Sequence, residues 1–164
     1  FEIGGRMKRL TGLLLGTILI SGCATTLPET DKVATRGLLL CEANELCPSV
    51  MVSWNEQKKD VLDVQINLNS VNNEFDIKHV SFSNGQKTFG FDPITATEHE
   101  VVFGMHRSRN SVIVPVRLMA DLDGQKSGQK IMMSLETDKG TITRYVLKDG
   151  KESLLYQQFK SVYK

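Results

Sequence analysis

The stretch Leu62-Asp63-Val64-Gln65-Ile66-Asn67-Leu68 alternates apolar and polar side chains without a break. A period of two sends successive side chains to opposite faces, so this is a strand with one dry and one wet side. The alternation returns at Val112, Val114, Val116 and Leu118, and again at Ile131, Met133 and Leu135. Turn formers separate the runs: Asn72-Asn73, Asn84-Gly85, Asp123-Gly124 and Asp138-Lys139-Gly140. One-sided strands joined by short polar turns predict a mainly β fold over residues 36–164. The expected architecture is an antiparallel β-sandwich or barrel-like domain.

Local detail follows from the same parity. A type I′ turn at Asn84-Gly85 would set Phe82 against Lys87, Val80 against Phe89 and Lys78 against Phe91. Val80, Phe82, Phe89 and Phe91 then share one face. Phe75 and Ile77 have the other parity, and a bulge near Lys78-His79 would return them to the core. Pro115 has no N–H for a ladder, so the predicted Val112–Leu118 strand should lie at an edge or carry a bulge. Trp54 is expected in the core; exposed, it would mark a sugar or protein contact. Met132 and Met133 fall on opposite faces of one strand. Past Asp149 the period lengthens: Asp149 with Glu152 resembles a capping box, and Leu155, Phe159 and Val162 line one face of an amphipathic C-terminal helix. That helix should cover the sheet or block an edge.

The beginning of the chain is of a different kind. Lys8 and Arg9 precede an apolar run from Leu10 to Ile20, followed by Ser21-Gly22-Cys23. The run is shorter than the roughly 20 residues that span a bilayer, so it reads as a signal peptide and not as a membrane span. Ile20-Ser21-Gly22-Cys23 resembles the lipobox of bacterial lipoproteins. The resemblance covers only this leader. It implies cleavage before Cys23, a thioether-linked diacylglycerol on that cysteine and an N-terminal acyl chain. Three chains, at about 0.8 kcal/mol per buried methylene, anchor in practice permanently. Ala24, where an aspartate would favour retention in the inner membrane, implies the periplasmic leaflet of the outer membrane. On this reading residues 7–22 are signal peptide and 23–35 a lipidated, Pro28-containing tether. Phe1 to Arg6 are read as untranslated message rendered as protein, and finding Phe1 by N-terminal sequencing of the precursor would refute that.

Cys41 and Cys47 remain. An even pair in an exported domain predicts a disulfide, because the periplasm is oxidising. The spacing is not that of a Cys-x-x-Cys redox pair. Charge steers nothing: 20 Lys and Arg stand against 19 Asp and Glu, leaving no field to attract nucleic acid. The basic cluster His106-Arg107-Ser108-Arg109-Asn110 reads as a solvated hairpin tip.

Catalytic signatures are missing from the sequence. There is no Gly-x-Ser-x-Gly elbow, His-Glu-x-x-His pair, phosphate-binding loop or dinucleotide fingerprint. Of the three histidines, His99 and His106 are the candidate metal ligands, with His79 reachable only through folding. They bracket a predicted Val101–Met105 strand, whose parity would send them to opposite faces. The reading is therefore a lipoprotein of the outer membrane, anchored at Cys23, that is not an enzyme and takes no cofactor. It would bind or scaffold a protein partner of the envelope, for which the Val112–Leu118 edge could accept a strand. The alternative is a periplasmic inhibitor or immunity protein that blocks an envelope-targeting enzyme. A metal-handling protein or hydrolase using His99 or His106 is the third class.

Overall fold

The computed structural model describes residues 39–55, 57–124 and 128–162. The leader, Cys23 and the tether lie outside them. Nine strands and two helices follow in the order β1 (Ser49–Asn55), β2 (Lys58–Ser70), β3 (Ile77–Ser83), β4 (Thr88–Phe91), β5 (Glu98–Val102), β6 (Met105–Pro115), α1 (Leu118–Leu122), β7 (Lys130–Thr137), β8 (Gly140–Lys148), β9 (Lys151–Glu152) and α2 (Leu154–Val162). They form two antiparallel sheets, β1-β2-β6-β5 and β4-β3-β7-β8-β9. The fold is the expected sandwich; neither sheet closes into a barrel.

The opening stretch is the spine of the first sheet. Leu62, Val64, Ile66 and Leu68 are fully buried, and Val112 and Val114 join them from β6. The second sheet contributes Val80, Phe82, Ile131, Met133, Leu135 and Ile142. Alternation matches burial residue by residue because each sheet has one face on the core and one in water. Met132, of the opposite parity to buried Met133, is half-buried. The bulge predicted near Lys78 is present: Ile77 pairs with Thr137 and His79 with Glu136, which leaves Lys78 as the extra residue. Phe75 and Ile77 are buried accordingly.

Five local expectations are corrected. The β3–β4 turn centres on Gly85-Gln86, not on Asn84-Gly85, so Phe82 pairs with Phe89 and Val80 with Phe91. Gly85 takes the first central position at φ +88°, as a type II′ turn requires. The Asn84 side-chain oxygen accepts the N–H groups of Gln86 and Lys87, which favours this centre. Moving the centre by one residue shifts the register by two, so the aromatic parity survives.

The strand predicted as Val112–Leu118 ends at Pro115, and Leu118 opens α1. Its edge character holds in part: β5 covers β6 only from Met105 to Arg109, so no described strand pairs with residues 110–115 on that side. Trp54 is 45% exposed, not buried, at the end of β1 where pairing with β2 becomes irregular. The cluster 106–110 lies within β6 and not at a hairpin tip.

Asp149 does not cap the last helix. With Gly150 it makes the two-residue turn between β8 and β9, at φ 51° and 81°. The cap is Ser153, whose hydroxyl accepts the Tyr156 N–H at 3.1 Å. The helix α2 behaves as expected, burying Leu155, Tyr156 and Phe159 and packing on β1 and β8. It thereby closes one side of the sandwich.

Cys41 and Cys47 are joined by a disulfide. The loop they close is fixed to the second sheet by Arg144, whose Nε donates to the Leu46 carbonyl at 3.0 Å and lies 3.4 Å from the Glu45 carboxylate. Closing so short a loop removes about 2 kcal/mol of unfolded-state entropy. Replacing both cysteines by serine should lower unfolding stability by about that amount in urea titrations, and reducing agent should have no further effect on the double variant.

Tyr156 links α2 to the end of α1 through its hydroxyl, which donates to Asp123 Oδ2 at 3.1 Å. Burial, with the neighbouring Asp123 carboxylate, pushes its phenol up to about 12. The folded state thus keeps a proton that the unfolded chain loses from about pH 10. This contribution is intact below pH 10 and fades as pH rises toward 12, at up to about 1.4 kcal/mol per pH unit. Tyr156→Phe should flatten that part of a stability–pH profile.

Candidate functional site

The histidines sort first. The segment expected as a Val101–Met105 strand is instead a hairpin turn, with β5 pairing back on β6 through Val102↔Met105. Reversal of the chain changes the parity argument. His99 lies opposite Ser108 and Val101 opposite His106; cross-strand partners share a face, so His99 and His106 stand on the same side, not on opposite ones. Glu98 and Glu100 occupy the other face, as expected, where Arg109 and Arg107 bind them at 2.9 and 3.0 Å.

Each histidine faces a carboxylate. His99 Nε2 is 2.9 Å from Asp76 Oδ1, and His106 Nδ1 is 3.2 Å from Glu74 Oε1. His79 Nδ1 is 2.5 Å from Asp92 Oδ1. The His79 ring also lies over Gly90 of β4, where an added Cβ would meet Nε2 at 2.6 Å, which accounts for a glycine inside that strand. Among the described residues no group of three or more His, Cys, Asp or Glu side chains is placed to hold a metal ion. His99 also contacts Ser108 Oγ through Nδ1 at 3.4 Å. That Ser–His–Asp chain resembles a hydrolytic triad in composition only. The serine is fully buried and its oxygen already accepts the Phe75 N–H at 2.9 Å, so no substrate carbonyl can approach it.

These groups hold the segment 71–76, which carries the chain from the first sheet to the second. Glu74 and Asp76 are held by His106 and His99, and Phe75 by Ser108. From the second sheet, Asp138 accepts the Asp76 N–H at 2.8 Å, and the Lys139 ammonium donates to the Glu74 carbonyl.

The same end of the sandwich carries its most conspicuous apolar feature. The β5–β6 turn is Phe103-Gly104, both residues at positive φ, 51° and 76°. The Asp149-Gly150 turn has matching φ values with residues suited to them. A bulky aromatic in the left-handed region is an outlier, held there at a cost. Phe103 gains no packing in return, being 102% exposed, and Val101 beside it is 62% exposed. Strand β5, at the sheet edge, is exposed at four of its five positions. Sequence reading missed Phe103 because it treated 101–105 as one strand; Phe-Gly between two runs at hairpin spacing was the available signal.

The tip lies far along the chain's path from its entry. Ser70 at the end of β2 pairs with His106, so the tip projects beyond that end. Leu40 bridges antiparallel to Tyr145, so the chain enters from the Lys148 end of β8 and runs toward the Gly140 end. The Gly140 end is the one that meets the 71–76 segment, beside the tip.

Compared with protein-family models, curated proteins and solved structures, the chain matches none.

Proposed function

We propose that this protein is a lipid-anchored binding module of the bacterial outer membrane that engages a protein partner through the β5–β6 hairpin. Anchoring rests on the lipobox-like Ile20-Ser21-Gly22-Cys23, and the choice of membrane on Ala24. The observation that carries the binding role is Phe103, wholly exposed and held at positive φ. An aromatic on a rigid two-residue turn is a compact anchor for a partner's pocket, since little side-chain entropy is lost on docking. A protein is favoured over the lipid surface because the described chain begins, at Leu39-Leu40, by running along β8 from the Lys148 end toward the Gly140 end, beside which Phe103 stands. The activity is binding, with no catalytic step.

The test is photo-crosslinking from intact envelopes with a benzophenone side chain at position 103, beside Phe103→Asn and Cys23→Ala. One dominant protein adduct is expected, and capture of that protein should fall at least tenfold in Phe103→Asn. Asn tolerates the left-handed region, so this variant should also be about 1 kcal/mol more stable. Equal capture by wild type and Phe103→Asn would refute the reading. An adduct that is itself a cell-wall-degrading enzyme, inhibited on binding, would define the module as an inhibitor.

A further inference from the structure

Strand β5 ends the first sheet with its hydrogen-bonding edge open. What that edge can hold rests on, and deepens, the reading that the β5–β6 hairpin engages a protein. The two-residue turn at Phe103-Gly104 makes Val102 and Met105 a hydrogen-bonded pair. Bonded and non-bonded pairs alternate along an antiparallel ladder, so Glu100 with Arg107 and Glu98 with Arg109 are bonded too. The N–H and C=O groups of Val102, Glu100 and Glu98 therefore turn toward β6, and those of His99 and Val101 point out of the sheet. Strand β5 is last in the order β1-β2-β6-β5, and both residues are exposed. Among the described residues no hydrogen bond reaches these four outward groups.

The open stretch of β6 is different. The Val116 N–H bonds to the Asp60 carbonyl at the β2 side, so even-numbered residues of β6 turn toward β2. Ser111, Ile113 and Pro115 turn outward, beyond the end of β5. Asn110 Oδ1 accepts the Ser111 N–H at 2.8 Å, and proline has no N–H to offer. Of these three, Ile113 alone keeps a donor for an added strand. Sheet edges are commonly blunted by such devices. On β5 the guard is charge: Glu98 and Glu100 on the wet face, bound by Arg109 and Arg107 one strand in.

That charge selects the occupant. A second copy of β5, laid antiparallel so that both outward residues bond, pairs His99 with Val101. It also sets Glu100 directly against Glu100, which is destabilising. On the other face Val101, 62% exposed, offers apolar surface next to the Phe103 tip. We infer that β5 takes up an extended segment of the partner protein as a fifth strand of the first sheet, bonded through the main chain of His99 and Val101. The segment alternates, with apolar side chains beside Val101 and basic or neutral ones beside Glu98 and Glu100. In strand addition main-chain bonds give affinity and alternate side chains give specificity. Phe103 anchors the end of the added strand.

The probe is the capped peptide Lys-Val-Lys-Val-Lys-Val-Lys, beside a copy with glutamate for lysine. Titrated into isotope-labelled full-length protein in detergent, it should shift the His99 and Val101 amide resonances saturably and slow their hydrogen exchange at least tenfold. The glutamate copy should bind at least threefold more weakly. Val101→Pro removes one outward N–H and leaves the β6 ladder intact, so it should weaken binding at least tenfold. Val101→Thr keeps that N–H and should lose no more than threefold. Ile113→Pro removes the remaining donor of the β6 edge and should change nothing. No saturable shift at His99 and Val101 would overturn the inference, and this wild-type result decides even if Val101→Pro unfolds. Equal binding by folded Val101→Pro, or a loss in Ile113→Pro instead, would overturn it as well. The hairpin reading is judged apart, by the adduct at position 103. Capture that falls in Phe103→Asn and stays whole in Val101→Pro would keep the tip as the binding element and refute strand addition.

Discussion

Phe82→Ala should lower unfolding stability by about 3–5 kcal/mol, the largest effect expected of any single truncation in this domain. Phe82 is fully buried near the C-terminal end of β3, flanked on one side by β4 and on the other by β7. Its ring meets Phe91 edge-on at 6.3 Å and Phe159 at 6.2 Å, so one side chain joins an edge strand, a central strand and α2. Losing it removes transfer free energy, leaves a cavity and breaks two aromatic pairs worth about 0.5–1.5 kcal/mol each. Collapse cannot fill the gap easily, because Phe159 is itself held by the helix and Phe91 by the strand. Urea titration would give the magnitude. Hydrogen exchange should show α2 losing protection ahead of β7. Phe91→Ala should cost less, since Phe91 is only partly buried.

The aromatic cluster also shows what the sequence discloses and what it withholds. Parity alone put Val80, Phe82, Phe89 and Phe91 on one face, and parity is robust because it depends only on the pleat. Register is a finer property, decided by which two residues bend. At 84–87 an Asn side chain satisfying two backbone N–H groups moved the bend to Gly85-Gln86. Asp149-Gly150 shows the converse error: Asp, Gly and a following acidic residue fit a helix cap, yet the pair serves a hairpin and Ser153 caps α2. The candidate site was less legible still. His99 and His106 flank a segment that reads as a strand, and only the folded hairpin shows that they share a face and that Phe103 is its tip. Asp63 could be recognised as wet-face from alternation, but not as holding a covered, unpartnered oxygen, because that depends on which donors the neighbouring strands bring to it.

Ser108→Val carries the second large effect, about 2–6 kcal/mol of lost stability. Ser108 is one of four buried polar residues among the described ones, and its position in β6 has the parity of the core. A hydrophobic residue would be the default there, so the hydroxyl needs a reason, and the Phe75 N–H supplies one. Phe75 sits in the crossing from the first sheet to the second, where the backbone has no ladder to satisfy it. Valine would leave that N–H buried and unpaired, at about 1–3 kcal/mol, and would crowd the site by a further methyl-sized volume, costing about 1–3 kcal/mol. Ser108→Thr separates the two, because it adds the bulk and keeps the oxygen. Threonine should recover the hydrogen-bond share alone, and the difference between the variants measures it. The result also bears on the histidines. If His99 and His106 serve to hold the crossing, then His99→Gln should destabilise wild type more than it does Ser108→Val, where the Phe75 end of the clamp is already broken. Additive losses would instead mean that the histidine pairs and the Ser108 bond act separately, leaving His99 free for another role.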